Sequence, residues 1–249
     1  MTGAAAIGRS LRLYHAPARR PVLDAFYRRF VPAHGLAFDV GCHVGDRAAS
    51  FLRLGARVVA VEPQPRLARA LRFMFRRTKG FALVEAVVGA APGEALLRLN
   101  TQNPTVATAS ADFIAAAAGA PGWEGQEWDG ALRVPRTTLD ALIAAHGMPD
   151  FIKLDVEGYE AEALRGLSRA PAALSFEFTT IQRGVAAEAL ARLAALGFRH
   201  FNACLGESMA WAFATPVDAA AMGAWLAALP AEANSGDVYA SLEAGRLAA

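Results

Sequence analysis

From Leu36 onward the chain alternates between two hydrophobic periods. Leu36 to Val40 is apolar and stops at Gly41, Ala48 to Leu54 repeats at helical spacing, Arg57 to Val61 is a β-branched run, and Leu67 to Phe75 is helical again. Short apolar runs bounded by glycine and separated by amphipathic stretches predict strand, helix, strand, helix. Strands that alternate with helices build a mostly parallel sheet flanked by helices, because each helix carries the chain back to start the next strand in the same direction.

The alternation continues to the last residues. A third strand is expected over Ala82 to Val88, with Glu94 to Leu99 beside it as a hairpin arm after the Pro92-Gly93 turn. Later come a helix from Leu139 to His146 closed by Gly147, a strand from Phe151 to Asp155, a helix from Tyr159 to Leu167 and a strand from Ala173 to Phe178. Ala186 to Leu196, Phe198 to Ala203, Ala219 to Leu229 and Asp237 to Ser241 follow as helix, strand, helix and strand. The whole predicts an α/β, doubly wound domain over 1–249, whose ligands sit beyond the C-terminal ends of the strands. Two parts stand outside the rhythm. Residues 1–34 carry Leu11, Leu13, Leu23, Phe26, Tyr27 and Phe30 at helical spacing and are expected to cover the ligand cleft. Residues 100–133 form an irregular insertion with Trp123 and Trp128 among glycines and acids, long enough to predict a lid or a wall for a second substrate.

Composition removes several classes. At 249 residues and 54% hydrophobic content the chain buries a core without staples, so Cys42 and Cys204 read as free thiols of a reducing, cytoplasmic setting. The net charge of +2 is spread along the chain, which predicts no nucleic acid and no anionic lipid as partner. No apolar stretch approaches membrane-spanning length, and Ala4 to Ile7 is too short for a signal segment. A small-molecule partner is expected, and the oligomeric state is left open.

The loop Asp39-Val40-Gly41-Cys42-His43-Val44-Gly45 sets two residues without Cβ four apart, where the chain must turn and let a ligand touch backbone. A dinucleotide loop would have a glycine within Cys42-His43-Val44, so a pyrophosphate is disfavoured. Asp39 favours S-adenosyl-L-methionine instead, whose amino group and sulfonium are cationic. Glu62 closes the second strand about twenty residues on, where an acid accepts both ribose hydroxyls. Pro63 follows it, Glu85 and Ala86 are placed for the adenine edge, and His43 is placed to touch the ligand. The competing readings are an NAD-dependent oxidoreductase or epimerase and a non-catalytic nucleoside-binding protein. The first lacks a Tyr-x-x-x-Lys pair, since Tyr159 is followed by Ala163.

In Asp150 to Glu160, Lys153, Asp155 and Glu157 alternate with Leu154 and Val156, so a strand would put the three charges on one side near its C-terminal end. Glu177 is a second acid in an apolar strand and is expected to face the same cleft. Buried charges of this kind are paired or functional. Methyl transfer needs an aligned acceptor and a base, so Lys153, Asp155, Glu157 and Glu177 are the candidate catalytic residues, with a purely structural Lys153 ion pair as the alternative. No H-x-x-x-H or C-x-x-C spacing occurs, and no metal site is expected; a divalent ion on Asp155 and Glu177 is the minor alternative.

These segments resemble the FkbM-type methyltransferases, a branch of the class I S-adenosylmethionine-dependent enzymes. The resemblance rests on Phe38 to Asp46, Val59 to Pro63, Val134 to Asp140 and above all F-I-K-L-D-V-E-G-Y-E at Phe151 to Glu160. It implies a Rossmann-like sheet of seven strands and methyl transfer to a hydroxyl of a sugar or natural product. It also implies cofactor roles for Asp39, Gly41, Gly45 and Glu62, and cleft positions for Lys153, Asp155, Glu157 and Gly158. Cys42 and His43 stand where the family commonly has a small residue and an amide, and its serine-rich acceptor loop survives only loosely in Thr105 to Ser110.

Overall fold

Helices α1 (Thr2–Tyr14) and α2 (Arg19–Tyr27) precede the first strand in the computed structural model, which describes residues 2–248. The alternation predicted from Leu36 is present: β1 (Leu36–Val40), α3 (Asp46–Arg53), β2 (Arg57–Val61), α4 (Pro65–Phe75) and β3 (Phe81–Val84). Next come β4 (Val87–Val88), β5 (Gly93–Leu99), α5 (Ala111–Ala117), β6 (Gly130–Thr137) and α6 (Leu139–His146). The chain continues with β7 (Phe151–Leu154), α7 (Glu160–Arg165), β8 (Ala173–Thr179), α8 (Arg183–Ala195), β9 (His200–Leu205), α9 (Ala219–Ala228) and β10 (Ser235–Ser241).

The main sheet has seven strands in the order β3-β2-β1-β7-β8-β10-β9. All neighbours run parallel except β10, which is antiparallel to both β8 and β9. This is a Rossmann-like, doubly wound α/β sheet, and strand order reverses between β1 and β7, where such sheets open a crevice. One face buries Phe38, Val40, Ile152, Leu154 and Phe176 under α6, α7 and α8. The other packs Ala37, Val58 and Phe151 against Tyr27, Phe30 and Phe51, with the Phe30 ring stacked 4.9 Å from that of Phe151. Each such fully buried side chain contributes about 1.5–3 kcal/mol.

Register explains where this second face turns polar. Ala37, Phe151 and Ala173 form one cross-strand row; two residues further on, the row is Asp39, Lys153, Ser175 and Tyr239. Glu177 lies opposite Asp237 another step toward the C-terminal end of β8. The period of two thus carries one face from aromatic core into the crevice.

Three expectations change. The third strand divides: β3 ends at Val84, and β4 leaves for a second sheet, β4-β6-β5, where it pairs parallel to β6. Glu94 to Leu99 is no hairpin partner of the third strand; β5 pairs antiparallel with β6, Leu97 against Leu132 and Ala95 against Val134. Pro135 had hidden β6, since proline cannot donate to a ladder, but β4 reaches only Arg136 and Thr137, so β6 has no partner on that side at Pro135. Finally, α2 meets the cleft only at its start, where Arg19 pairs with Asp46 and Glu207, and packs the rest of its length on α3 with Leu23, Phe26 and Tyr27 in the core.

Candidate functional site

Gly41 and Gly45 both have left-handed backbone, φ 79° and 75°. A Cβ on Gly41 would overlap the carbonyl oxygen of Asp155, and one on Gly45 would lie 2.7 Å from Leu71 Cδ2 and press on Phe75. The chain's own packing therefore demands both glycines. Glu62 ties the loops together, accepting from the His43 amide at 3.0 Å on one oxygen and from the Gln64 amide at 2.8 Å on the other. Asp39 accepts from the Ala48 amide at 2.8 Å, in the first turn of α3, where free N–H groups favour an acid.

Two connected cavities open beyond β1, β2 and β7. The first, about 510 Å³ including the space open to solvent, is walled by Val40, Val61, Pro63, Ala86, Val88, Leu97, Ala107 and Ala109, with Glu62, Asp155 and Glu157 as its acids. The second, about 560 Å³, is lined by Tyr14, Asp39, Asp46, Arg47, Lys153, Glu177 and Glu207. Gly41, His43, Thr105, Asp155 and Glu157 line both and mark the junction. Ten of the residues singled out from sequence meet here: Asp39, Gly41, His43, Glu62, Pro63, Ala86, Lys153, Asp155, Glu157 and Glu177. Three do not line either cavity. Gly158 lies against Phe113 and Gln182 instead. Gly45 caps α3, and Glu85 forms an ion pair with Arg72 of α4. The insertion supplies a wall: Pro104, Thr105, Ala107 and Ala109 face the first cavity, while Phe113, Trp123 and Trp128 make a small core behind them. From the N-terminal helices, Tyr14 reaches the second cavity, its ring edge-on to His43 at 5.5 Å.

Lys153 is the centre of the polar part. It is 1% exposed, and its Nζ donates to Asp155 and to Asp237, each at 2.9 Å. Burial opposes its charge, but the two carboxylates more than compensate and hold its pKa well above the ordinary lysine value. For Asp155 burial likewise raises the pKa, and the Lys153 ammonium reverses this and holds the carboxyl below its usual range. Glu157 and Glu177 have no such partner: burial first, then the neighbouring Asp155, pushes both well above the ordinary carboxyl value.

Asp237 was missed by sequence reading, although an acid inside the apolar run of β10 is the same signal that exposed Glu177. Arg47 was also missed; it donates to Asp46 at 2.6 Å and to Glu207 at 2.6 Å, and Arg19 donates to Glu207 at 2.6 Å. The reason given for the convergence of Asp155 and Glu157 also changes. Strand β7 ends at Leu154, and Glu157 stands in left-handed backbone with φ 55°, so a turn and not strand alternation brings the two acids together. Thr108 of the insertion fixes that turn, donating to the Glu157 carbonyl at 2.6 Å.

Burial raises Glu62 to about 8 and Asp39 to about 7. An acid whose pKa is higher folded than unfolded holds its proton longer in the native state, so its contribution is present in acid and lost as pH rises through the folded value. Glu62→Gln is therefore expected to gain stability relative to the parent between pH 5 and pH 8, by up to about 1.4 kcal/mol per pH unit. Urea midpoints measured across that range check it; a constant difference would mean that Glu62 is ionised throughout.

The family profile "Methyltransferase FkbM domain" matches residues 39–200. No curated protein sequence matches the chain. Among solved structures, it is similar to a precorrin-6y C5,15-methyltransferase from Geobacter metallireducens, at 13% identity, covering 89% of this chain and 86% of that one, TM-score 0.42. A fibrillarin from Aeropyrum pernix with natively bound S-adenosyl-L-methionine is 12% identical over 85% and 68%, TM-score 0.43. A SAM-dependent O-methyltransferase from Thermotoga maritima is 11% identical over 89% and 64%, TM-score 0.44. The profile spans more than half of the sequence, including the Asp39 loop, Glu62 and the Lys153 to Glu160 segment, and on that match the chain belongs to the FkbM family of S-adenosylmethionine-dependent methyltransferases.

Proposed function

We propose that this methyltransferase acts on a hydroxyl of a small polar acceptor, a sugar or natural product, that enters through the second cavity. The observation that carries the reading is the buried Lys153–Asp155 pair at the junction of a mainly apolar cavity and a highly charged one. The residues fit the cofactor. Glu62 is oriented by two backbone amides and faces a cavity of aliphatic walls, as a ribose diol beside an adenine requires. Asp39 and Asp155 offer negative charge where the methionyl end would lie. When bound, the cofactor supplies an electrophilic methyl group.

What remains for the protein is alignment and removal of a proton. A hydroxyl is a poor nucleophile until its proton is taken by a base within hydrogen-bond reach. Asp155, kept ionised by Lys153 and lining both cavities, is the base in this reading, and Lys153 offsets charge developing on the acceptor oxygen. The lining residues Pro104, Thr105, Ala107 and Ala109, with Tyr14 across from them, form the wall that excludes water and positions the acceptor. The second cavity is lined by the carboxylates of Asp39, Asp46, Asp155, Glu157, Glu177 and Glu207 against the cations Arg47 and Lys153. Neither cation is free for a phosphate backbone, since Arg47 is held by Asp46 and Glu207 and Lys153 by Asp155 and Asp237, which favours a small acceptor over nucleic acid.

The test is incubation with S-adenosylmethionine and matched panels of polyhydroxylated small molecules, amines and RNA oligonucleotides, followed by mass spectrometry. A methyl-mass gain in the hydroxyl panel is expected. Gain confined to amines or to RNA would overturn the proposal.

A further inference from the structure

We propose that Asp155, Glu157 and Glu177 together hold a divalent, oxygen-preferring cation such as Mg²⁺ or Mn²⁺ beside the acceptor position. Each offers one carboxylate oxygen, and the three oxygens lie within 4.8 Å of one another. Oxygens on opposite sides of a Mg²⁺ or Ca²⁺ ion are about 4–5 Å apart, so a small inward movement suffices to share one centre. The three come from separate places: the end of β7, the turn after it and β8.

Their charge is not matched by the protein. Lys153 is the neighbouring cation, and it is already divided between Asp155 and Asp237. A second observation points to a missing ligand. Glu157 is only 8% exposed, and no hydrogen bond reaches its carboxylate among the described residues; the bond from Thr108 goes to its backbone carbonyl. Glu177 Oε2 is likewise buried and without a partner. Buried acceptors left unmatched are costly, and native proteins pair them with protein, water or ions. One divalent cation satisfies both at once and still leaves coordination positions for water or an acceptor oxygen, as hard cations on carboxylates usually do.

The task of the cation rests on the hydroxyl reading above: an acceptor oxygen bound to it would lose its proton more readily. The site itself does not depend on that reading, so its test omits the acceptor. Full-length protein saturated with S-adenosylhomocysteine is titrated with Mn²⁺ alone, and free Mn²⁺ is followed by electron paramagnetic resonance. One tight site per chain, displaced by Mg²⁺, is expected. Glu177→Gln and Glu157→Gln are each expected to weaken it at least tenfold, with S-adenosylhomocysteine calorimetry on Glu177→Gln reporting that the fold is intact. No saturable Mn²⁺ site in the parent chain, or unchanged affinity in both variants, would overturn the proposal and mean that the carboxyls keep their protons. Mn²⁺ binding without methylation of any hydroxyl would instead sink the acceptor reading and leave the cation site standing.

Discussion

Lys153→Met is expected to lower the free energy of unfolding by about 3–5 kcal/mol at neutral pH, the usual cost of removing one partner from a buried ionic group. The lysine is 1% exposed and its ammonium contacts two carboxylates, so methionine, of similar length, removes charge while leaving volume almost unchanged. Asp155 and Asp237 are then buried without compensation. Both must take up protons or remain as unmatched charges. The sign of the pH dependence follows: in the parent, ionised Asp155 stabilises the fold above the ordinary carboxyl pKa and loses that effect as pH falls. In the variant the same carboxyl favours its protonated form, so the deficit should shrink on acidification. Urea denaturation at pH 7.5 and at pH 5 measures it. A deficit below about 1 kcal/mol at both pH values would mean that water relieves the aspartates.

Asp155→Asn is expected to reduce kcat by about 10²–10⁴-fold, the range lost with a general base. Asparagine keeps the size of the side chain and can still face Lys153, but it neither accepts a proton nor carries charge. Binding of S-adenosylhomocysteine should change only a few-fold, because the base is needed in the transition state rather than for the nucleoside. Steady-state kinetics and calorimetry on the same preparation separate the two effects. Equal losses in kcat and in cofactor affinity would reassign Asp155 to holding the cofactor.

What could be read before folding was whatever violated a local pattern. Lys153 and Glu177 stood out because charge inside an apolar strand is costly unless it is used, and both line the second cavity. Glu62 stood out because it ends a β-branched run at a fixed distance from a glycine loop. Long-range partners left no such trace. Asp237 meets Lys153 across 84 positions of sequence, and Arg47 meets Glu207 across 160. The second sheet was hidden for a different reason: β4 has two residues and β6 contains a proline, so neither shows a full strand period. For the two loop glycines, sequence shows that a Cβ is absent but not which atoms of the chain require its absence, here the Asp155 carbonyl and the Leu71 side chain.

The position of β10 orders events during synthesis. It is inserted between β8 and β9, so β9, translated earlier, lacks its native neighbour until β10 has emerged from the ribosome. Until then β8 presents an open edge and Lys153 has one of its two carboxylates. A fragment cut at the boundary of the family match, near residue 200, would retain the recognisable motifs and yet lack Asp237. The minimal stretch that looks like the enzyme is therefore shorter than the stretch that assembles its charge centre.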